Sequence, residues 1–360
     1  MKNQDEAERR IQENKSTLNT HLDLSELELK ELPTSISELK HLIFLNVEGN
    51  KLEELHLRDF PFLSKVVVYD NPIKKLIVEN LPNLLELEAD ELEKLEMINL
   101  PSLNSLQLTR TKLDTLNLSS FENLNYVNLE HSTIKNLILN DLPNLWFINV
   151  KQTLLKELIC KDLSHLQVIE GYKSTLEKVE IQNLPNLEHL YLPEMQLKEL
   201  SIENAPHLRW LNLAKNQLTH FKLQNQDYLE TLNLSKNRLT KLDISHLKSL
   251  EKLNLDNNHL TSLSITDFPF LDFLTAEHNQ IKKLELKNLP RANYVRMCYN
   301  QIENVEAFSC DYLSHLNLAR NSVKDFRFFE YLPHLEHITT GNDVWGYVKV
   351  EDFKEELRNK

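Results

Sequence analysis

Leucine and other apolar residues recur along this chain with a fixed period. Taking Leu208 as position 0, apolar residues follow at Leu211, Leu213, Leu218, Phe221 and Leu223, with Asn216 between them. The next unit opens at Leu229 and repeats the pattern as Leu232, Leu234, Asn237, Leu239, Leu242 and Ile244. The period is 21 residues and the template is LxxLxLxxNxLxxLxIxxLPx. Units open at residues 19, 42, 63, 84, 103, 124, 145, 166, 187, 208, 229, 250, 271, 292 and 313, with a partial unit from 335. Three full units depart from the period: the first has 23 residues, the fourth 19 and the last 22. Self-similarity at so short a period predicts a stack of identical supersecondary units.

Side chains alternate between faces of an extended segment, so positions 3 and 5 point inward and positions 2, 4 and 6 outward. One unit cannot bury its leucines alone, whereas stacked units enclose them in a continuous core. Fifteen strands at about 4.8 Å each would make a parallel sheet roughly 70 Å long. The second half of each unit alternates again, as in Leu200-Ser201-Ile202 and Leu242-Asp243-Ile244. That predicts a second, shorter extended segment on the opposite face. Eight of the 12 prolines sit at position 19, among them Pro61, Pro185 and Pro269. Proline lacks the N–H a ladder needs, so it ends that segment.

The motif LxxLxLxxNxL resembles the leucine-rich-repeat signature, over about nine-tenths of the chain. The opening unit, LDLSELELKELPTSISELKHL, is similar to the first repeat of many bacterial leucine-rich-repeat proteins. The 21-residue units resemble those of internalin-like bacterial proteins. The resemblance implies a leucine-rich-repeat solenoid of about 15 repeats. Such a solenoid is a curved right-handed array with a parallel sheet on the concave face and short extended segments on the convex face. Residues 1–18, with Ala7, Ile11 and Leu18 among charges, read as an N-terminal helical cap. Residues 19–342 read as the solenoid and 343–360 as a C-terminal cap. That last cap divides into a strand, VWGYVKV (344–350), and a short helix, EDFKEELRNK.

Asparagine holds position 8 at Asn50, Asn71 and every unit from Asn216 to Asn321. Between them stand Thr111, Ser132, Thr153, Ser174 and Met195. Hydroxyls can replace part of the asparagine bonding, and methionine cannot. The fourth unit lacks two residues in EADELEKL (88–95), which should disturb the spacing or curvature there. The acidic run Glu86, Glu88, Asp90, Glu91 and Glu93 reads first as a solvated face and second as a patch facing a partner. A calcium site comes last, because nothing resembles a calcium-loop motif.

Composition narrows the function. The formal charge of −13 opposes nucleic acid and anionic membrane. Leucine supplies 72 residues and glycine 4, which disfavours glycine-rich phosphate loops. No run of about 18 apolar residues offers a membrane span, and the charged N-terminus is not a secretory signal. The three cysteines, at 160, 298 and 310, form no CxxC pair, so a disulfide framework or zinc site is not expected. A reducing, cytoplasmic setting follows as the expectation. Of the 14 histidines, His165, His189, His207, His315, His334 and His337 take turn or outward-strand positions at mostly inconstant phases, and HExxH, GxSxG, P-loop and GxGxxG motifs are all missing. Cys298 takes an outward position beside Tyr299 and reads as an exposed, unreactive thiol. No enzyme, cofactor or metal is expected.

Function then rests on outward strand positions. Position 2 carries Phe44, Tyr126, Phe147, Trp210, Phe273 and Tyr294, position 6 adds Tyr69 and Tyr172, and position 4 adds Tyr191. Tyrosine and tryptophan bury large area with few rotors and are enriched at interface hot spots. The competing reading is cross-strand packing that only stabilises the ladder. The early units present mostly acids, from Asp23 to Asp90, whereas the later ones present Lys215, Lys236, Arg238, Lys252, Arg296 and Arg320. An aromatic patch with acidic and basic flanks suits a monomeric adaptor or inhibitor that binds another protein. Tyr126, Phe147, Tyr172, Tyr191, Trp210, Lys236, Arg238, Lys252, Phe273 and Tyr294 are its candidate contacts. Two alternatives stand: an exported, host-directed effector acting by binding, and a glycan surface with aromatic platforms beside Asn128, Asn149 and Asn212.

Overall fold

The structure, a computed structural model, describes residues 2–119, 121–342 and 348–358. The chain divides into two compact units, Met1–Leu184 and Pro185–Lys360, each a coil of parallel strands. In the first unit one ladder joins position 2 of successive turns, running Phe44, Lys65, Glu86, Ser105, Tyr126, Phe147, Val168. In the second the corresponding ladder runs His189, Trp210, Thr231, Lys252, Phe273, Tyr294, His315, His337. Both keep one register, including across the 19-residue and 22-residue units, because each turn returns its position 2 beside the equivalent residue of the next.

The leucines fill the space inside each coil. Leu211, Leu232 and Leu253, all at position 3, are 1%, 0% and 0% exposed. The second extended segment forms its own parallel pairings, as in Glu157–Lys161 with Lys178–Gln182 and His220–Gln224 with Lys241–Ser245. The expected shortness of that segment holds at Thr115–Asn117, 3 residues against 5 at Ser105–Thr109, and is corrected in most other turns. It spans 5 residues at His220–Gln224, against 3 at Trp210–Asn212. The inner strand is cut short by the turn that follows it, while the outer one runs on until the chain bends back.

Two left-handed residues turn most of the coils, and few of them are glycine. Position 7 has positive φ at Gly49, Asp70, Gln152, Lys236, His278 and Tyr299, and position 17 at Asp59, Asn80, Asp162, Asn225 and Asn288. Asparagine and aspartate tolerate this region because their short side chains bond locally. At position 17 they also bond one another, Asn80 to Asp59 at 2.9 Å and Asn288 to Asp267 at 2.7 Å.

The position-8 asparagine locks the other corner. Asn237 Nδ2 donates to Leu213 O and Leu234 O, while its Oδ1 accepts from Leu218 N. Where hydroxyls replace asparagine the bonding is thinner. Ser132 donates to Leu129 O and Thr153 to Val150 O, and the Thr153 and Ser174 hydroxyls bond at 2.9 Å. Met195 is simply buried there.

The fourth unit takes up its deletion in the corner after its inner strand. Its inner strand, Glu86–Asp90, stays in register with both neighbours. Lys112 N donates to Leu92 O as Lys51 N does to Leu29 O, so Leu92 holds the position-10 site. The two absent residues therefore remove the position-8 rung. Next to that gap, the Thr111 hydroxyl and Asp90 Oδ1 are buried without a hydrogen-bond partner among the described residues.

Helix α1, Lys2–Thr17, lays Ala7 and Ile11 against the first turns, and Asn14 Nδ2 donates to the carbonyls of Asn19 and His21. At the other end Val348–Lys349 pairs antiparallel with His337–Thr339, and helix α2 spans Val350–Arg358. Val350 thus opens the helix rather than closing the expected strand. Residues 344–347 of that strand lie outside the described residues. Phe353 of α2 meets Phe326 edge-on at 5.1 Å.

Candidate functional site

In the first unit the ladder register sets Tyr126 directly beside Phe147, and their rings stack at 4.9 Å with planes 5° apart. Both rings are half-buried. Trp146, one position before Phe147, lies 5.4 Å from its ring and 6.4 Å from Tyr126 and is 40% exposed. Sequence reasoning missed it, because position 1 precedes the alternating stretch on which outward positions were counted. Tyr172, half-buried, carries the Lys173 ammonium 4.9 Å over its ring.

Three of the five residues of the acidic run, Glu86, Glu88 and Asp90, are engaged, while Glu91 and Glu93 are exposed. Lys65 Nζ donates to Glu86 at 2.5 Å and Glu88 at 3.4 Å, and Arg110 Nη2 reaches Asp90 Oδ2 at 2.5 Å. Asp90 itself is buried. Among the described residues no group of His, Cys, Asp and Glu is arranged to hold a metal ion.

In the second unit Trp210 stacks on His189 at 4.1 Å, with the Arg209 guanidinium 4.6 Å from its ring. Tyr191 is 44% exposed, one position along the same face. Farther on, Phe273 is the register neighbour of Tyr294, which stacks on His315 at 4.5 Å. Thr231 and Lys252 separate these two aromatic groups along the ladder. The basic set also divides. Lys215 pairs with Glu194, and Arg296 with Glu277 at 2.7 Å. Lys236, Arg238 and Lys252 are exposed and form no ion pair among the described residues.

Position 6 departs from the outward assignment. Ala214, Ser235 and Ala319 are buried there, and so is Cys298, at 2% exposure rather than on the surface. The chain is already curling toward the position-7 corner, which draws position 6 under the adjacent turns. Burial and the Glu277 carboxylate push the Cys298 thiol up to about 12. Burial alone pushes Cys160 to about 12. A thiol so far above its ordinary range supplies little nucleophile near neutrality. Asparagines 128 and 212 are occupied locally, each accepting from the backbone N–H two residues on. Asn149 is buried and donates to Glu130.

Parallel ladders, an enclosed leucine core and asparagine-locked corners define a parallel-strand solenoid of short repeats. The chain has the leucine-rich-repeat fold, with about fifteen turns across its two units. The family model described as leucine-rich repeats (2 copies) matches residues 229–272. YopM from Yersinia enterocolitica is similar at 22% identity, covering 94% of this chain and 81% of its own, with a TM-score of 0.54. The leucine-rich effector YopM from Yersinia pestis is similar at 23% identity, covering 94% and 93%, with a TM-score of 0.51. The leucine-rich-repeat domain of APL1B is similar at 18% identity, covering 92% and 96%, with a TM-score of 0.54. No curated protein sequence matches the chain. Among the described residues no helix is long and apolar enough to cross a membrane.

Proposed function

We propose that this chain is a non-catalytic interaction module that holds a protein partner on the outward face of its inner strands. Proteins of this fold generally bind other proteins. The observation that carries the reading is the set of aromatic rings left open at positions the core does not use. Tyr126 and Phe147 serve the first unit, with Tyr172 nearby in sequence. Tyr191, Trp210, Phe273 and Tyr294 serve the second. Ladder packing explains one face of each stacked ring, but Tyr294 stays 38% exposed despite its stack and Tyr191 is 44% exposed. Lys236, Arg238 and Lys252 add unpaired positive charge, which acts on orientation and association rate. An acidic or mixed-charge partner surface suits them.

The proposed setting is a reducing compartment such as the cytoplasm, in keeping with three unpaired, buried cysteines. The proposed form is a monomer acting as adaptor or inhibitor. The test is capture from lysate by the intact chain and by a variant carrying Tyr126→Ala, Phe147→Ala and Trp210→Ala. A partner retained by the former and lost by the latter supports the reading. Equal capture by both contradicts it.

A further inference from the structure

The edge of the first unit, beside its inner ladder, carries a groove of about 540 Å³. Position 1 of four successive turns contributes Asn104, Asn125, Trp146 and Gln167 to it, and the residue before a turn contributes Asn123, Asn144 and the neutral His165. None is charged, in a chain where 26% of residues are. Position 1 of the second unit differs, carrying Arg209, Glu230, Glu251 and Asp272.

The amides fall into two sets. Asn123 Nδ2 donates to Pro101 O at 2.8 Å and Asn144 Nδ2 to Glu122 O at 2.7 Å, each one turn back along the coil. His165 Nδ1 meets Pro143 O at 2.6 Å in the same way. These bonds stabilise the edge and fix the amide planes, leaving each Oδ1 as an acceptor. Asn125 and Gln167 make no side-chain hydrogen bond among the described residues, so nothing in the fold requires their amides. Between them stands the exposed indole of Trp146.

We infer that this groove binds a neutral oligosaccharide. Sugar hydroxyls are donors and acceptors at once, and primary amides answer both roles from one planar group. The apolar C–H face of a pyranose covers an indole, a ring that is apolar at its body and polar at its N–H. Other ligand classes fit poorly. A phosphate or nucleic acid needs cations, and the lining has none. A protein hot spot needs a packed apolar centre, and Trp146 is the sole large apolar side chain lining the groove. Trp146 touches the Tyr126–Phe147 pair, so the two sites adjoin, and Asn125 and Gln167, which take no part in that stack, are what distinguish them.

Calorimetric titration of the intact chain with maltohexaose, cellohexaose and chitohexaose tests it. At least one hexaose should saturate the protein within the millimolar range. Trp146→Ala should abolish that signal, and N125A/Q167A should weaken binding at least about tenfold, the loss of roughly one good hydrogen bond. Failure of all three sugars to saturate at millimolar concentration would overturn the inference. So would unchanged affinity in N125A/Q167A, or capture of a protein through these two amides with no sugar binding. Because N125A/Q167A leaves the Tyr126–Phe147 pair in place, its outcome is independent of the protein-binding proposal.

Discussion

At the residue scale, the two kinds of buried side chain behave in opposite ways. Leu232 has no exposed surface, and its neighbours in the ladder, Leu211 and Leu253, are enclosed with it. Leu232→Ala removes those atoms and leaves a cavity that rigid turns cannot collapse into. A loss of about 2–5 kcal/mol is expected, read from chemical denaturation. An unchanged unfolding midpoint would place Leu232 outside the core. Asp256 is the contrasting case. Its Oδ1 accepts from the Thr275 hydroxyl at 2.5 Å and from Glu277 N at 2.7 Å, yet burial raises its pKa above 3.8. The folded state therefore holds the proton more tightly than the unfolded one. Stability falls as pH rises from about 4 through the raised value. Asp256→Asn keeps an acceptor oxygen and removes the charge. Its melting temperature should exceed that of the parent at pH 7, with the gap closing toward pH 3. A gap independent of pH would remove the ionisation from the account.

At the scale of the element, one rung chemistry separates stiff corners from loose ones. An asparagine rung satisfies two carbonyls and one N–H, whereas the hydroxyl rungs at Ser132 and Thr153 satisfy fewer groups. Asn237→Ala leaves Leu218 N without its acceptor, while Leu213 O keeps Asn216 and Leu234 O keeps Asn258, and should cost about 1–3 kcal/mol. Amide hydrogen exchange should already be faster around Thr111, Ser132 and Thr153 than around Asn237, Asn258 and Asn279 in the parent protein. Equal protection would mean that the rung does not limit local opening. The missing rung of the fourth unit was foreshadowed by its two-residue deletion, but the site of its effect was not. Strand register survives a shortened corner, because the ladder is set by residues on either side of it. The left-handed corners were illegible for another reason. Glycine usually marks them, and here lysine, histidine and tyrosine adopt the same φ under the constraint of the stacked turns.

At the scale of the molecule, the 21-residue period makes the coil, its core and its outward columns legible in the sequence. Periodicity says which face a residue takes, not what covers it there. That is why Cys298 was placed on the surface, and why Trp146 and its amide neighbours, just outside the alternating stretch, were passed over. Charge pairing was hidden for the same reason. Of the basic set, Lys215 and Arg296 meet acids contributed by neighbouring turns, and Lys236, Arg238 and Lys252 do not. Reversing those three to glutamate should slow association about tenfold or more at low salt, with little change in dissociation, because exposed charges act through steering. Stopped-flow or biosensor kinetics at two ionic strengths would read this directly. An association rate indifferent to both salt and reversal would contradict a steering role.

The central claim is that outward aromatic rings, not the core, bind the partner. Its most direct test is the affinity of one captured partner for the parent and for the Tyr126→Ala, Phe147→Ala, Trp210→Ala variant, with circular dichroism recorded on both. Unchanged secondary structure is expected, with binding weakened by about 2 kcal/mol or more, roughly thirtyfold in Kd. A folded variant that binds at parental affinity would reduce the stacked rings to ladder packing and contradict the account.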